Sequence, residues 1–429
     1  MSLQPLPMKF DSRDLAVVAD PYRVYTELRE AGRIARGPAG QWVFSHHRDV
    51  SSLLKDRNLS HEYPAEYHEF STGPGPANDF LQRIILDQDA PTHTFLRQIM
   101  QRSFSPALMR RLQGYVEGQV QDLMTRAMGL AEDIGHFDVV SDLAFPLPVT
   151  VVCELIGIPD VDRDAVRPYA VELSKAFALY VPQEERAGAH QAVTWLRNYV
   201  TDLVDSRAKQ PADDLISNLL QAQCEHPKLD RQSLIDNVVF LFFAGFETTT
   251  NLISTIWSAL LQHPDQLALL RSSPDLVPRA VEEFLRYDAP IQATARYVKE
   301  PIKIAGRTIR AGRVVVLLLG AANHDPARFT NPDRLDITRS PNPHVSFGGG
   351  VHRCLGAALA QVEGKAVVRW LAQSAYEPEF AGEVMRRPSV TFRAYQSIPV
   401  RLCKGAGRSI VSAGTNEDGK ACRDLGQFM

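Results

Sequence analysis

Cysteine is scarce in this 429-residue chain. Its five cysteines, Cys153, Cys224, Cys354, Cys403 and Cys422, are odd in number, far apart and contain no CxxC pair. That excludes a disulfide framework and points to a reducing, cytoplasmic setting. Neither sign of charge dominates: 47 Lys and Arg against 50 Asp and Glu leave a net charge of −3. Such a balance makes no case for nucleic-acid binding. Long hydrophobic runs are also missing. The longest, residues 238–246, falls below half of the ~20 residues a membrane span needs. Residues 1–10 carry prolines and no apolar run, so neither a signal peptide nor a membrane anchor is expected. No internal repeat or low-complexity tract is visible. Composition is otherwise that of a globular protein, 45% hydrophobic and 23% charged. With no polar linker to divide it, residues 1–403 are expected to form one domain. Residues 404–429 are polar, weakly periodic and expected to form a mobile tail.

The most informative stretch is Phe347-Gly348-Gly349-Gly350-Val351-His352-Arg353-Cys354-Leu355-Gly356. Three glycines allow positive φ and a backbone that lies flat against a ligand. Cys354 then opens an alanine-rich segment that reads as a helix. A cysteine at a helix N-terminus faces unpaired N–H groups and the positive end of the dipole, which favours its thiolate. A thiolate held by glycines against something flat suggests a metal ligand under a planar cofactor. A structural cysteine or a glycine-rich anion nest are the competing readings.

Along the chain, residues 21–31 and 48–55 read as helices and 41–45 as a strand. Residues 60–91 form a long loop with Tyr63, Tyr67, Phe70 and Phe80, expected to cover a site. His93 and Arg97 follow at i and i+4 of a helix, where they could clamp a carboxylate. Helical patterns over 106–127, 142–155, 162–179 and 187–204 make the architecture mainly α. Residues 181–186 look like a mobile connection between two of them. Residues 233–263 are the longest helical candidate, apolar all round in the middle. Local preference fails there. Gly245 costs ~1 kcal/mol relative to alanine, three threonines follow, and Glu247 needs a partner, water or a proton. Conflict inside a strong element marks a candidate site. Gly245 would let another group approach the backbone, Thr248 would bond back to a carbonyl one turn earlier, and burial would raise the Glu247 pKa. Short β-branched runs at 291–298 and 302–319 read as hairpins.

The cysteine loop resembles the haem-binding loop of the cytochrome P-450 family of haem-thiolate monooxygenases, Phe-Gly-x-Gly-x-His-x-Cys-x-Gly, at every fixed position. Ala244-Gly245-Phe246-Glu247-Thr248-Thr249 resembles the family's oxygen-activating motif, with Glu where Asp is more usual. Glu283-x-x-Arg286 resembles its Glu-x-x-Arg pair, and Arg334 stands where a second structural arginine is expected. The resemblance covers roughly residues 10–403. It implies a mainly α fold with a small β-rich subdomain, haem b lying between the long helix and the cysteine loop. Cys354 would ligate the iron. His93, Arg97, Arg296 and His352 would bind the haem propionates, and Ala244, Gly245, Phe347, Gly350 and Gly356 would line the cofactor. Glu247 and Thr248 would serve proton delivery and oxygen activation.

The implied reaction inserts one atom of O2, as hydroxylation or epoxidation, into an apolar molecule such as a polyketide, terpenoid or fatty-acid derivative. Electrons would come from NAD(P)H through a separate ferredoxin and ferredoxin reductase. Arg102, Arg110, Arg111, Arg353, Lys365 and Arg369 are candidates for a basic docking face. Candidate pocket residues are the loop aromatics, 177–180, Phe243, Ala244, Ile291, Ala293, Thr294 and the region of Tyr395. A peroxide-driven relative or a non-catalytic haem sensor are the alternatives. The Glu247/Thr248 pair argues against the first.

Overall fold

The computed structural model describes residues 9–104, 106–177, 181, 183–226 and 229–404. Of the tail expected at 404–429, Lys404 ends the Pro399–Lys404 strand, and the rest, like pocket candidates 178–180, lies outside the described residues.

Its axis is the Arg231–Gln262 helix, started by Asp230, whose carboxylate accepts from the Ser233 N–H at 2.9 Å. Two apolar clusters share it. One surrounds its N-terminal half, with Phe242, Phe243 and Phe246 packed against the Arg163–Lys175, Gln183–Lys209 and Leu215–Glu225 helices. The other surrounds its C-terminal half, with Leu252, Ile256 and Trp257 against the Pro106–Ile134, Val277–Tyr287 and Ala357–Gln373 helices. The clusters part at Glu247–Asn251, where apolar side chains give way to polar ones. By length and composition this helix could cross a membrane, yet it is the buried centre of the fold.

A five-stranded sheet stands to one side in the order 35–36, 42–44, 314–318, 293–298, 59–60. The 42–44 and 314–318 strands run parallel, with Trp42 opposite Val315; the other pairings are antiparallel. A three-stranded sheet joins 137–138, 399–404 and 376–380. The mainly α architecture with a small β subdomain is as expected.

Three expectations are corrected. Residues 60–91 hold two short helices, Ala65–Thr72 and Pro76–Leu81. Gly73, at φ 76°, ends the first, and each is too short to show a period. Residues 183–186 are not a loose connection but the first turn of the Gln183–Lys209 helix. Finally, Arg334 is exposed and the second arginine on Glu283 is Arg339, its Nε 3.0 and 3.2 Å from the two carboxylate oxygens. Glu283 and Arg286 are fully buried, bonded to each other twice at 2.8 Å.

Candidate active site

The cysteine loop is closed by the Cys354 N–H donating to the Phe347 carbonyl at 2.9 Å. Gly348 and Gly350 take positive φ, 67° and 65°, as the sequence led one to expect. The Gly350 surface faces protein, however. A Cβ there would stand 2.8 Å from the Leu54 carbonyl oxygen, so this glycine lets the loop press on the chain just after the His47–Leu53 helix. At Gly356 a Cβ would meet nothing within 4 Å. That open space lies two residues from the thiol. The helix itself starts at Ala357, so Cys354 sits in the turn before it and not in its first turn.

The Cys354 side chain is exposed by surface area yet deep among protein atoms, so it lines an internal space. Burial pushes the thiol up, and the Gly356 N–H, Arg97 and Arg353 pull it back only in part. The chain alone therefore does not favour the thiolate, contrary to the expectation from the helix N-terminus. A bound metal cation would impose it.

A second group of residues surrounds that space. The rings of His61 and His93 both lie against that of His352, tilted by 40° and 43°, with centroids 3.9 and 4.0 Å away. Arg296, on strand Ala293–Val298, is buried, and its positive field reaches His61 and His352; Arg97 acts on His93 and Cys354 in the same way. Burial lowers all five groups: His352 to about 3, Arg296 to about 10, and His61 well below its usual value. Among the described residues no carboxylate pairs with Arg97 or Arg296. Asp87 and Asp89 both stand in the field of Arg296, and Asp89, 4.0 Å from His352, already accepts from Ser60, Lys299 and the His61 N–H. The His61 Nε2 is buried with no partner. Buried donors that outnumber the acids beside them fit a ligand that brings its own carboxylates, which is what haem propionates are. The four donors expected here come together. His61 was missed; it lies in the 60–91 segment, which drew attention for its aromatics.

The long helix supplies the opposite chemistry. Its middle is buried apart from Phe240, Ala244, Gly245 and Thr248, which are half-exposed. Phe240, Ala244 and Thr248 recur every four residues on one face. The Thr248 hydroxyl donates to the Ala244 carbonyl at 3.2 Å, the expected back-bond. Gly245 serves packing: a Cβ there would meet Val152 Cγ2 at 2.6 Å, so the close approach it allows is that of the Pro146–Ile156 helix. Glu247 is 2% exposed, and its Oε1 accepts from Arg387 Nη2 at 2.6 Å. It is thus the paired alternative of the three left open by the sequence. Arg387 follows a two-residue strand far along the chain, and no local spacing betrays it.

Phe177 stacks on Phe243 at 4.1 Å, and Phe392 meets Phe243 edge-on at 6.2 Å. Leu355, beside Cys354, packs on this same cluster, so the cysteine loop and the long helix border one interior. Other expected pocket residues go elsewhere. Phe70 is 66% exposed, Phe80 is core, and Tyr395 lines a separate polar pocket with Thr255 and Asp288.

Comparison with known proteins agrees with this arrangement. Residues 163–388 match the family model Cytochrome P450. The biotin biosynthesis cytochrome P450 of Bacillus subtilis (strain 168) is 37% identical over 89% of this chain and 96% of its own. Cytochrome P450 monooxygenase PikC of Streptomyces venezuelae is 35% identical over 91% of this chain and 93% of its own. Among solved structures, P450BioI in complex with a hexadec-9Z-enoic acid ligated acyl carrier protein matches with a TM-score of 0.84 at 36% identity. That match covers 90% of this chain and all of the other. A fold and a sequence shared to this extent leave one assignment: the chain belongs to the cytochrome P450 family, as a bacterial-type monooxygenase that works with haem iron and O2.

Proposed function

We propose that this enzyme inserts one oxygen atom into an apolar, medium-to-large substrate such as a fatty-acid derivative, polyketide or terpenoid. The observation that carries the reading is the half-exposed face Phe240–Ala244–Thr248 on an otherwise buried helix, bordering the interior that Leu355 and Cys354 also border. Haem iron, held by Cys354, supplies the activation of O2 that no side chain can provide. The chain's own residues do the rest. His61, His93, Arg97, Arg296 and His352 bind and orient the propionates. Thr248 offers a hydroxyl whose second interaction is free beyond the Ala244 carbonyl, and Glu247, tethered by Arg387, holds a proton-transfer group one residue away. Phe177, Phe240, Phe243 and Phe392 exclude water and give the substrate an aromatic surface.

Relatives whose names or titles mention biotin biosynthesis, a long-chain acyl group and a polyketide support the substrate range. Electrons come from NAD(P)H through ferredoxin reductase and ferredoxin in the cytoplasm. The docking face is less basic than its residue count implies. Arg102 pairs with Glu225, Arg111 with Asp213 and Arg369 with Glu117, so Arg110, Lys365 and Arg353, the last next to the cysteine, are what those pairs leave of it. A spectral titration with C14–C18 fatty acids and macrolide aglycones tests the substrate reading. Displacement of the iron's water ligand by one class identifies it, and displacement only by small polar compounds overturns it.

A further inference from the structure

A cavity of about 360 Å³ opens beside the C-terminal part of the long helix, at Thr255 and Gln262, and is closed by Tyr22, Asp288 and Arg386. None of the residues that hold the propionates, the thiolate or the oxygen-activating pair lines it. Its charges are sorted by depth. Inside, Asp288 is 5% exposed and faces two arginines, Arg386 Nη2 at 2.8 Å and Arg393 Nε at 3.3 Å, so one positive charge is left over. Toward solvent, Asp20 and Asp333 are exposed lining residues. Arg23 beside them is already held by Glu27 at 2.5 Å, and the His324 ring lies 2.8 Å from Asp333.

Hydrogen-bonding capacity is left over as well. Thr255 is 1% exposed, and neither its hydroxyl nor Arg386 Nη1 has a partner in the protein. Buried groups of this kind are satisfied by water or by a ligand. A cationic inner wall behind an acidic mouth is complementary to a molecule with a carboxylate at one end and an ammonium at the other. Between the two, the rings of Tyr22 and Tyr287 offer a surface to an aliphatic stem.

The inner wall reaches the active site through one hairpin. Strand Met385–Arg386 pairs with Tyr395–Ser397, placing Arg386 opposite Tyr395, and the Arg387 N–H donates to the Ala394 carbonyl at 3.0 Å. Neighbouring side chains of an extended segment point to opposite faces. Arg386 lines the cavity, while Arg387 bonds Glu247 at 2.6 Å. Phe392, between the strands, meets Phe243.

We propose that this cavity is an effector site for a small amino-carboxylate, whose binding steadies the 385–397 hairpin and with it Arg387 and Phe392. The carboxylate takes the Thr255 hydroxyl and Arg386 Nη1, and the ammonium lies at Asp20 and Asp333. The site is independent of the substrate proposed above.

The test is equilibrium dialysis of radiolabelled 4-aminobutyrate against the haem-loaded enzyme, with butyrate and n-butylamine as competitors that each carry one end. Saturable binding without a Soret shift is expected, with either half-molecule a weaker competitor than unlabelled 4-aminobutyrate. Thr255→Val, which nearly keeps the volume, should weaken binding about tenfold, as the loss of one charge-assisted bond does. Gln262→Trp, which fills the mouth from an exposed position, should abolish it. Coupling is reciprocal. Saturating 4-aminobutyrate should therefore tighten 4-phenylimidazole, an iron ligand that reaches into the distal interior, about fivefold by Soret titration. Absence of binding overturns the site and leaves its polar groups to water. A Soret shift with 4-aminobutyrate, or parent affinity in both variants, places the probe elsewhere and overturns it too. Butyrate competing as well as 4-aminobutyrate overturns the ligand class, and an unchanged 4-phenylimidazole affinity overturns the coupling.

Discussion

The sharpest quantitative consequence concerns which arginines hold the segment that carries the cysteine loop. Glu283 accepts from Arg286, Arg339, Asn342 and the Asp336 N–H, all within 3.2 Å. Arg286 donates in turn to the carbonyls of Asn323, Pro332 and Arg334, at 3.0, 2.7 and 3.2 Å. Replacing Arg286 by alanine therefore leaves a fully buried carboxylate with Arg339 as its one arginine and takes this donor from the Asn323 and Pro332 carbonyls. Breaking a buried pair from one side costs about 3–5 kcal/mol, a large part of the ~5–15 kcal/mol that holds a protein together. Arg339→Ala leaves Arg286 in place and removes charge-assisted bonds worth about 1.5–3 kcal/mol. Arg334→Ala removes a side chain that stands in solvent and should stay within about 0.5 kcal/mol of the parent, because only its carbonyl is used. Urea unfolding followed by circular dichroism and by haem release gives the order. The midpoints should fall as parent equal to Arg334→Ala, then Arg339→Ala, then Arg286→Ala. An Arg334 variant as unstable as the Arg339 variant would refute the assignment.

Four other outcomes are expected. The reduced carbon monoxide complex should show the red-shifted Soret band of thiolate ligation, lost in Cys354→Ala; a histidine-like spectrum in the parent would rule out Cys354 as ligand. Thr248→Ala should release several-fold more peroxide per electron, read by a peroxidase-coupled assay. Arg387→Ala leaves Glu247 buried without its partner and should lower turnover several-fold with little change in substrate affinity. His68 is buried and burial lowers its pKa to about 4, so it stays neutral in the fold. Its unfolded form protonates near 6.5, so the stabilisation is complete above that pH and is lost as pH falls toward 4. At about 1.4 kcal/mol per pH unit this amounts to up to ~3 kcal/mol, and His68→Leu should flatten that part of a stability-versus-pH curve.

Much of the fold was legible because its helices carry their own start signals and periods. The 21–31 helix was placed to the residue by Pro21 and its apolar spacing. Cys354, Thr248, His93 and Arg97 were legible because loop glycines, helix position and an i, i+4 pair are all local patterns. Arg387, Arg339 and His61 were not. Each acts across the fold on a partner distant in sequence: Arg387 is 140 residues from Glu247 and Arg339 is 56 from Glu283. Burial was not legible for a similar reason. A Glu-x-x-Arg pair looks the same on a wet helix face and in a core, and only the packing of 323–342 over it makes it buried.

The glycines of the cysteine loop answer to unlike demands, and this sets how the segment can vary among natural or engineered sequences. Position 350 has no room for any side chain, since the neighbouring obstacle is backbone and cannot turn aside. Position 348 is limited by its φ of 67° and not by space, so asparagine is the substitute it would best accept. Position 356 has both an ordinary φ and free room, so nothing in the polypeptide itself demands a glycine there. Whatever excludes larger residues at 356 must come from outside the chain. A saturation library grown with and without a haem supply would separate these demands. Position 350 would be intolerant in both conditions, and position 356 only when haem is present.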